Sequence, residues 1–152
     1  MRILAIFTCF NRRDMTERSI RTLRENKDVI FDYVVVNDGS TDGTAEMLAT
    51  QPEKIDIVNG DGGLFWNRGM YEAIEHAKKH HADYDYYMLM NDDTKFFPGV
   101  FDDMLPVLKS DTVMVGAICN EDGSLSYGGI KYTKGIKYKK YGPREQDLLR
   151  HV

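Results

Sequence analysis

The sequence predicts an α/β fold, a mainly parallel sheet with helices on both faces and a C-terminal β-hairpin. Three observations carry this expectation. Short apolar runs recur along the chain at strand length, helical spacings fill the intervals between them, and the runs end in clusters of polar turn formers. Strands that alternate with helices make a parallel sheet covered on two sides. At 152 residues the chain has the size of one domain able to bury a core.

The first strand is Ile3 to Thr8, an apolar run that stops at TCFNR. Asp14 followed by Glu17 gives a capping-box-like start, and a helix through Met15, Ile20 and Leu23 runs to about Asn26. The second strand, Tyr33 to Val36, stops at NDGSTDGT, Asn37 to Thr44, which leads into a short helix through Met47 and Leu48. A third strand, Ile55 to Val58, precedes NGDGG, where Gly60, Gly62 and Gly63 imply close backbone approach or positive φ. Met70, Ala73, Ile74 and Ala77 then lie on one face of a helix that starts near Asn67 and Arg68.

The fourth strand, Tyr86 to Met90, has the unbroken aromatic and apolar character of a strand covered on both faces. It delivers Asn91, Asp92 and Asp93 to its carboxyl end, where open α/β sheets bind ligands. Acids there cannot stay buried unpaired. Hard oxygen donors suit Mg²⁺ or Mn²⁺, while an Asx turn before a helix at Pro98 explains the same acids with no ligand. That helix carries Phe101, Met104, Leu105 and Leu108 on one face, and Pro106 kinks or ends it. A fifth strand, Val113 to Ile118, turns at EDGS, and the segment Leu125 to Tyr141 alternates about a Lys134–Gly135 turn as a hairpin.

Composition narrows the function. Apolar content of 42%, aromatic content of 11% and charged content of 29% are those of a soluble globular protein, and a formal charge of −4 argues against nucleic-acid binding. No run approaches the roughly 18 apolar residues of a membrane span. Residues 1 to 10 are too short and lightly flanked for a signal peptide, so the expected location is cytoplasmic. Cys9 and Cys119 read as buried free thiols. From Tyr127 to Arg144 there are six basic residues and no acid. The basic, tyrosine-rich stretch Lys131 to Tyr141 has the composition for peripheral contact with anionic lipid at the inner face of the membrane, or with an acidic acceptor; the plainer reading is a solvated edge ribbon guarded by lysines.

The loops after strands one (Thr8, Asn11, Arg12), two (Asn37, Asp38, Ser40) and four (Asn91, Asp92, Asp93) all leave carboxyl ends and should converge on one cleft. Neither GxGxxG after strand one nor GxxxxGK[ST] is present, so phosphate is not held by either glycine-rich loop. A divalent cation on the strand-four oxygens would hold a diphosphate, and Asp38 is placed to accept hydrogen bonds from a base or a ribose. His76 and His80 have the i, i+4 spacing of zinc sites, but HExxH is absent, no third ligand is evident, and Lys78 and Lys79 mark a solvated helix end. Trp66, the sole tryptophan, reads equally as core or pocket wall.

TCFNR, VVVNDGSTDGT, WNRGMYEAIEHA and YMLMNDDT, in this order and spacing, resemble family 2 glycosyltransferases with the GT-A, nucleotide-diphospho-sugar transferase fold, over roughly residues 1 to 120. The resemblance implies that Asp38 and then Asn37 contact the nucleoside, and that Asn67, Arg68 and Gly69 line the nucleotide pocket beside Thr8, Asn11, Arg12 and Ser40. It maps the metal-binding DxD motif onto Asn91, Asp92 and Asp93, with Mg²⁺ or Mn²⁺ as cofactor. Asn91 stands where the motif has its first acid and binds a cation more weakly, so Asp93 is the main ligand and Asp92 faces the sugar or diphosphate.

GGLFWNRGM and EDGSLSYGG are more similar to bacterial rhamnosyltransferase-like members. The implied reaction is an inverting transfer from a UDP- or dTDP-sugar donor to a polysaccharide or lipid-linked acceptor. Family members continue into an acceptor region that carries the catalytic base. The expectation is therefore a single domain over residues 1–152 that lacks this region, with Glu145 and Asp147 as the only late acids and no base assigned. An open sheet edge would invite a second copy, as a homo-oligomer. The alternative is a truncated or degenerate domain that binds nucleotide-sugar and transfers nothing. A sugar-phosphate nucleotidyltransferase is a weaker reading, because its GxGTR loop is replaced by TCFNR.

Overall fold

The computed structural model describes residues 1–110, 112–120, 122–127, 130–133 and 137–140, in two compact units, Met1–Asp103 and Met104–Val152. The first unit is built on four parallel strands: β1 (Arg2–Cys9), β2 (Ile30–Asn37), β3 (Ile55–Asn59) and β4 (Tyr86–Leu89), in the order β3-β2-β1-β4. Helices α1 (Arg13–Arg24), α2 (Thr44–Ala49) and α3 (Phe65–His80) connect them. The chain moves outward from β1 to β3 and then returns, through α3, to place β4 on the other side of β1. Right-handed crossovers in opposite directions put α3 on one face and α1 with α2 on the other.

Side-chain alternation along the strands fits this arrangement. Leu4 and Ile6 of β1 join Val34 and Val36 of β2 against Ala73 and Ala77 of α3, all at most 2% exposed. The residues between them point the other way, where Phe7 and Tyr33 meet edge to face at 6.4 Å. Both strands are buried along their length after the first residue, as expected of strands sandwiched between helices. They are longer at both ends than their apolar runs, because pairing extends to Arg2 and Asn37.

Three expectations are corrected. The capping box at Asp14 does not form: the N-cap of α1 is Arg12, two residues earlier, Asp14 lies in the first turn, and the Arg13 amide is instead capped at 2.9 Å by Asp42 of the loop after β2. Thr44 and then Arg13 hold the Asp42 carboxyl below its usual range. The fourth strand is not covered on both faces. Among the described residues β4 pairs only with β1, and Tyr87 and Leu89 stand 49% and 59% exposed. β2 and β1 are the interior strands of this order.

The third correction lies in the second unit, where residues 113–117 form no strand. Val113 and Val115 are 73% and 76% exposed, and only Ile118–Cys119 (β5) is paired, with Leu125–Tyr127 (β6). An apolar run becomes a strand only where a partner supplies the backbone bonds.

The helix after Pro98, α4 (Val100–Met104), gives way to a 3₁₀ turn at Leu105–Val107, as Pro106 requires. β7 (Ile130–Thr133) and β8 (Lys137–Lys140) pair antiparallel where the C-terminal hairpin is expected, while its Lys134–Gly135 turn and Tyr141 lie outside the described residues. No helix among the described residues is long and apolar enough to cross a membrane.

Candidate functional site

The carboxyl ends of β1, β2 and β4 bring three polar loops together. Asn11, in the left-handed region at φ 49°, joins the first two reciprocally: its amide donates to Ser40 Oγ at 3.0 Å and its Oδ1 accepts from the Thr41 amide at 2.8 Å. Asn37 makes an Asx-type bond, Oδ1 accepting from the Ser40 amide at 3.3 Å, and its carbonyl accepts from the Gly39 and Gly60 amides. Gly39, at φ +69°, allows this convergence, since a Cβ there would lie 2.8 Å from the Gly62 nitrogen.

Asp38 is the hub of the third-strand loop. It is 3% exposed, and its carboxylate accepts from the backbone amides of Gly62 (2.9 Å), Leu64 (3.0 Å) and Phe65 (3.1 Å). It thereby caps the start of α3, two residues before the start read from the sequence. A ligand would share this carboxylate with the loop.

α3 is pressed onto β1 at Gly69, where a Cβ would lie 2.9 Å from that of Thr8. Thr8 is itself buried, with its hydroxyl donating to the Val36 carbonyl at 3.2 Å. Asn67 is exposed on the first turn of α3. Arg68 lies along the helix, bonded to Glu72 and over the Tyr71 ring.

The β1 and β4 loops meet through charge. Arg12 directs Nη1 at Asp93 Oδ2 (3.0 Å) and Asp92 Oδ1 (3.4 Å), so two carboxylate oxygens converge on one cationic atom. Burial pushes the Asp92 carboxyl above its ordinary range, against the pull of Arg12. Asp93 is more open, with its side chain 45% exposed. Behind them Ser19 of α1 donates to the carbonyls of Asp92 and Thr94, fixing the turn. Trp66 is not a core residue. It is 59% exposed and its indole N–H donates to Asn91 Oδ1 at 3.0 Å, tying α3 to the end of β4.

Residues 5–151 match the family described as glycosyl transferase family 2. The chain belongs to that family. Curated relatives include poly-beta-1,6-N-acetyl-D-glucosamine synthases of Staphylococcus aureus. Those of strains MSSA476 and MW2 are each 33% identical over 92 residues, and that of strain COL is 32% identical over the same length. The match covers 60% of this chain and 22% of each relative, so it spans about a fifth of their length.

Among solved structures, the mannosyltransferase PcManGT from Pyrobaculum calidifontis, in complex with GDP-Man and Mn²⁺, superposes with a TM-score of 0.58 at 20% identity. It covers 78% of this chain and 35% of the other. This likeness establishes the fold as that of a glycosyltransferase of the GT-A type.

The loops after strands one, two and four were expected at one sheet edge, and the structure brings them together there, but several residues that support them were missed. Asp42, Ser19 and the Trp66–Asn91 bond position the loops, and only the indole offered any signal beforehand, as a lone tryptophan before a helix. Glu145 and Asp147 lie outside the described residues.

Proposed function

We propose that this chain provides the donor site of an inverting glycosyltransferase, which moves a sugar from a nucleotide-diphosphate donor to a saccharide or lipid-linked acceptor. The observation that carries the reading is the convergence of Arg12 with Asp92 and Asp93 where the strand order reverses across β1, beside the Asn37–Ser40 loop. Family membership supplies the reaction class, and the polysaccharide-synthase relatives favour a polysaccharide product.

In this reading Asn37 and Asp38 meet the nucleoside from a loop already locked by backbone bonds, with Asn11 and Ser40 holding its edge. Asn67 and Arg68 line the pocket from α3, while Thr8 and Gly69 set how closely that helix approaches. Arg12 turns its guanidinium to the diphosphate, and Asp92 faces the sugar.

The donor set fits a divalent cation. Two hard oxygens already point at one positive charge, and the Asn91 oxygen that accepts from Trp66 keeps a second lone pair. Asp93 and Asn91 would hold Mg²⁺ or Mn²⁺, which when bound supplies Lewis-acid stabilisation of the leaving diphosphate.

A thermal-shift panel tests the reading, using UDP, dTDP and GDP with and without Mn²⁺ on wild type and Asp93→Ala. At about 100 times its dissociation constant a ligand adds roughly 2.7 kcal/mol. Stabilisation by one nucleotide that needs metal and Asp93 is the expected result, and a folded protein that no nucleotide shifts overturns it. Binding without turnover over a donor and acceptor panel would favour a non-catalytic nucleotide-sugar-binding domain.

A further inference from the structure

Away from the nucleotide edge, β3 and the far end of α3 assemble a second constellation. Asp56 Oδ2 lies 2.7 Å from His76 Nε2 and 3.0 Å from His81 Nε2. One ligand atom from each of the three residues falls within 4.8 Å of the other two. His76 is ten residues along α3 from Trp66, about 15 Å at helical rise, so this group is separate from the Asn91–Asp93 loop.

The sequence set the histidines aside because no third ligand was evident. The fold supplies two, from β3 and from the residue that ends α3. His81 rather than His80 is the partner of His76.

We propose that Asp56, His76 and His81 form a Zn²⁺ site. Two imidazole nitrogens and one carboxylate oxygen are a three-protein-ligand set for this ion, with a fourth position left to water. Nitrogen donors select it over Mg²⁺ or Ca²⁺. Tetrahedral bonds of about 2.0–2.2 Å hold donors about 3.3–3.5 Å apart, so the two short contacts need to open by about 0.3–0.8 Å and the two histidine donors, within 4.8 Å of each other, to settle at the same spacing.

The frame is already built. His81 is 7% exposed in its side chain; its amide donates to the Ala77 carbonyl, and its carbonyl accepts from the Tyr87 hydroxyl at 2.8 Å. Asp56 and His76, 39% and 28% exposed, leave the ion a way in. With no ion bound, both Nε2–H groups donate to the carboxylate. On binding, each ring gives up its Nε2 proton and takes the Nδ1–H tautomer, so that Nε2 can ligate.

The test is calorimetric titration of the whole chain with Zn²⁺, paired with Co²⁺ absorption spectra to read coordination number. One tightly bound ion per chain is expected at this site, with a four-coordinate cobalt spectrum, and any weaker ion belongs to the Asn91–Asp93 loop. Affinity should fall more than about tenfold in His76→Ala and in Asp56→Asn, which keeps the shape of the carboxylate. It should stay within about twofold of wild type in His80→Ala, whose ring only stacks near His76 at 4.5 Å. Absence of saturable Zn²⁺ binding overturns the proposal, as does wild-type affinity in His76→Ala or loss in His80→Ala. Loss confined to Asp93→Ala would assign the ion to the nucleotide edge instead. Because the donor reading is tested with nucleotide and Asp93, the two stand or fall separately.

Discussion

Arg12 and Asp93 form an ion pair, 3.0 Å between Nη1 and Oδ2, that joins the loop after β1 to the loop after β4. The guanidinium thus sits against the oxygens a divalent cation would use in the proposed donor site, where Arg12 and metal would compete. In Arg12→Ala the exposed pair itself costs only about 0.2–1 kcal/mol of stability. Stabilisation by Mn²⁺ alone should grow, because no resident cation has to move. Affinity for a nucleoside diphosphate should drop about tenfold, the worth of a hydrogen bond to a charged group. Thermal shifts with Mn²⁺ and with UDP, measured separately, distinguish the two; an unchanged Mn²⁺ shift removes the competition.

Asp38 holds the loop that enters α3. Its carboxylate serves three backbone amides of the loop entering α3. Asp38→Ala should therefore cost about 3 kcal/mol or more, since the partners of a charged acceptor are left unmade. Urea unfolding with an unchanged slope checks this. A loss below about 1 kcal/mol would mean that water replaces the carboxylate.

The contact of Gly69 with Thr8 makes a sharper test of packing. Gly69→Ala drives a methyl into β1 and should destabilise by about 1–3 kcal/mol, although alanine favours helix at an open position. Thr8→Ala in the same chain should recover only part, because the Cβ of residue 8 remains 2.9 Å from the added atom. A double-mutant cycle read by urea unfolding gives the coupling. Full additivity would show that α3 moves away freely.

What the sequence revealed depended on whether the signal was local. The buried strands were legible because Leu4 to Phe7 and Tyr33 to Val36 are unbroken apolar runs, and turn chemistry marked Asn37 to Thr44. The polar loops were expected at one sheet edge because parallel strands put every carboxyl end on the same side, and the structure places them there. Pairing was not legible. Among the described residues, Tyr86 to Leu89, with the composition of a central strand, pairs on one side only, while Val113 to Val115, with that of a strand, pairs with nothing. Contacts between distant loops were also invisible: Asp42 caps Arg13 from 29 residues away, and Asp56 meets His81 from 25. Asp38 was singled out by its motif as a nucleoside contact, while its three amide partners needed the fold to bring Gly62 to Phe65 back to it.

Burial sets the chemistry of the two thiols apart. Cys9 lies at the end of β1, 2% exposed, and burial first, then the carboxylate of Asp92, pushes its thiol up to about 12. Cys119 is only half-buried. At pH 8 iodoacetamide should label Cys119 and leave Cys9 intact until the chain is unfolded, because the thiolate is the nucleophile. Stability follows from the same shift. The native state holds the Cys9 proton more tightly than the unfolded chain, whose ordinary value is 9.0, so the protonated thiol's contribution is complete below 9.0 and is lost as pH rises from 9.0 through about 12. Tyr33, whose phenol is also raised by burial, adds a loss in the same direction above its ordinary 10.0. Urea midpoints should therefore fall steadily above pH 9, and Cys9→Ala should flatten the early part of that fall. An equal alkaline fall in the variant would place the titration elsewhere, and rapid labelling of Cys9 in the folded protein would show that the end of β1 opens to solvent.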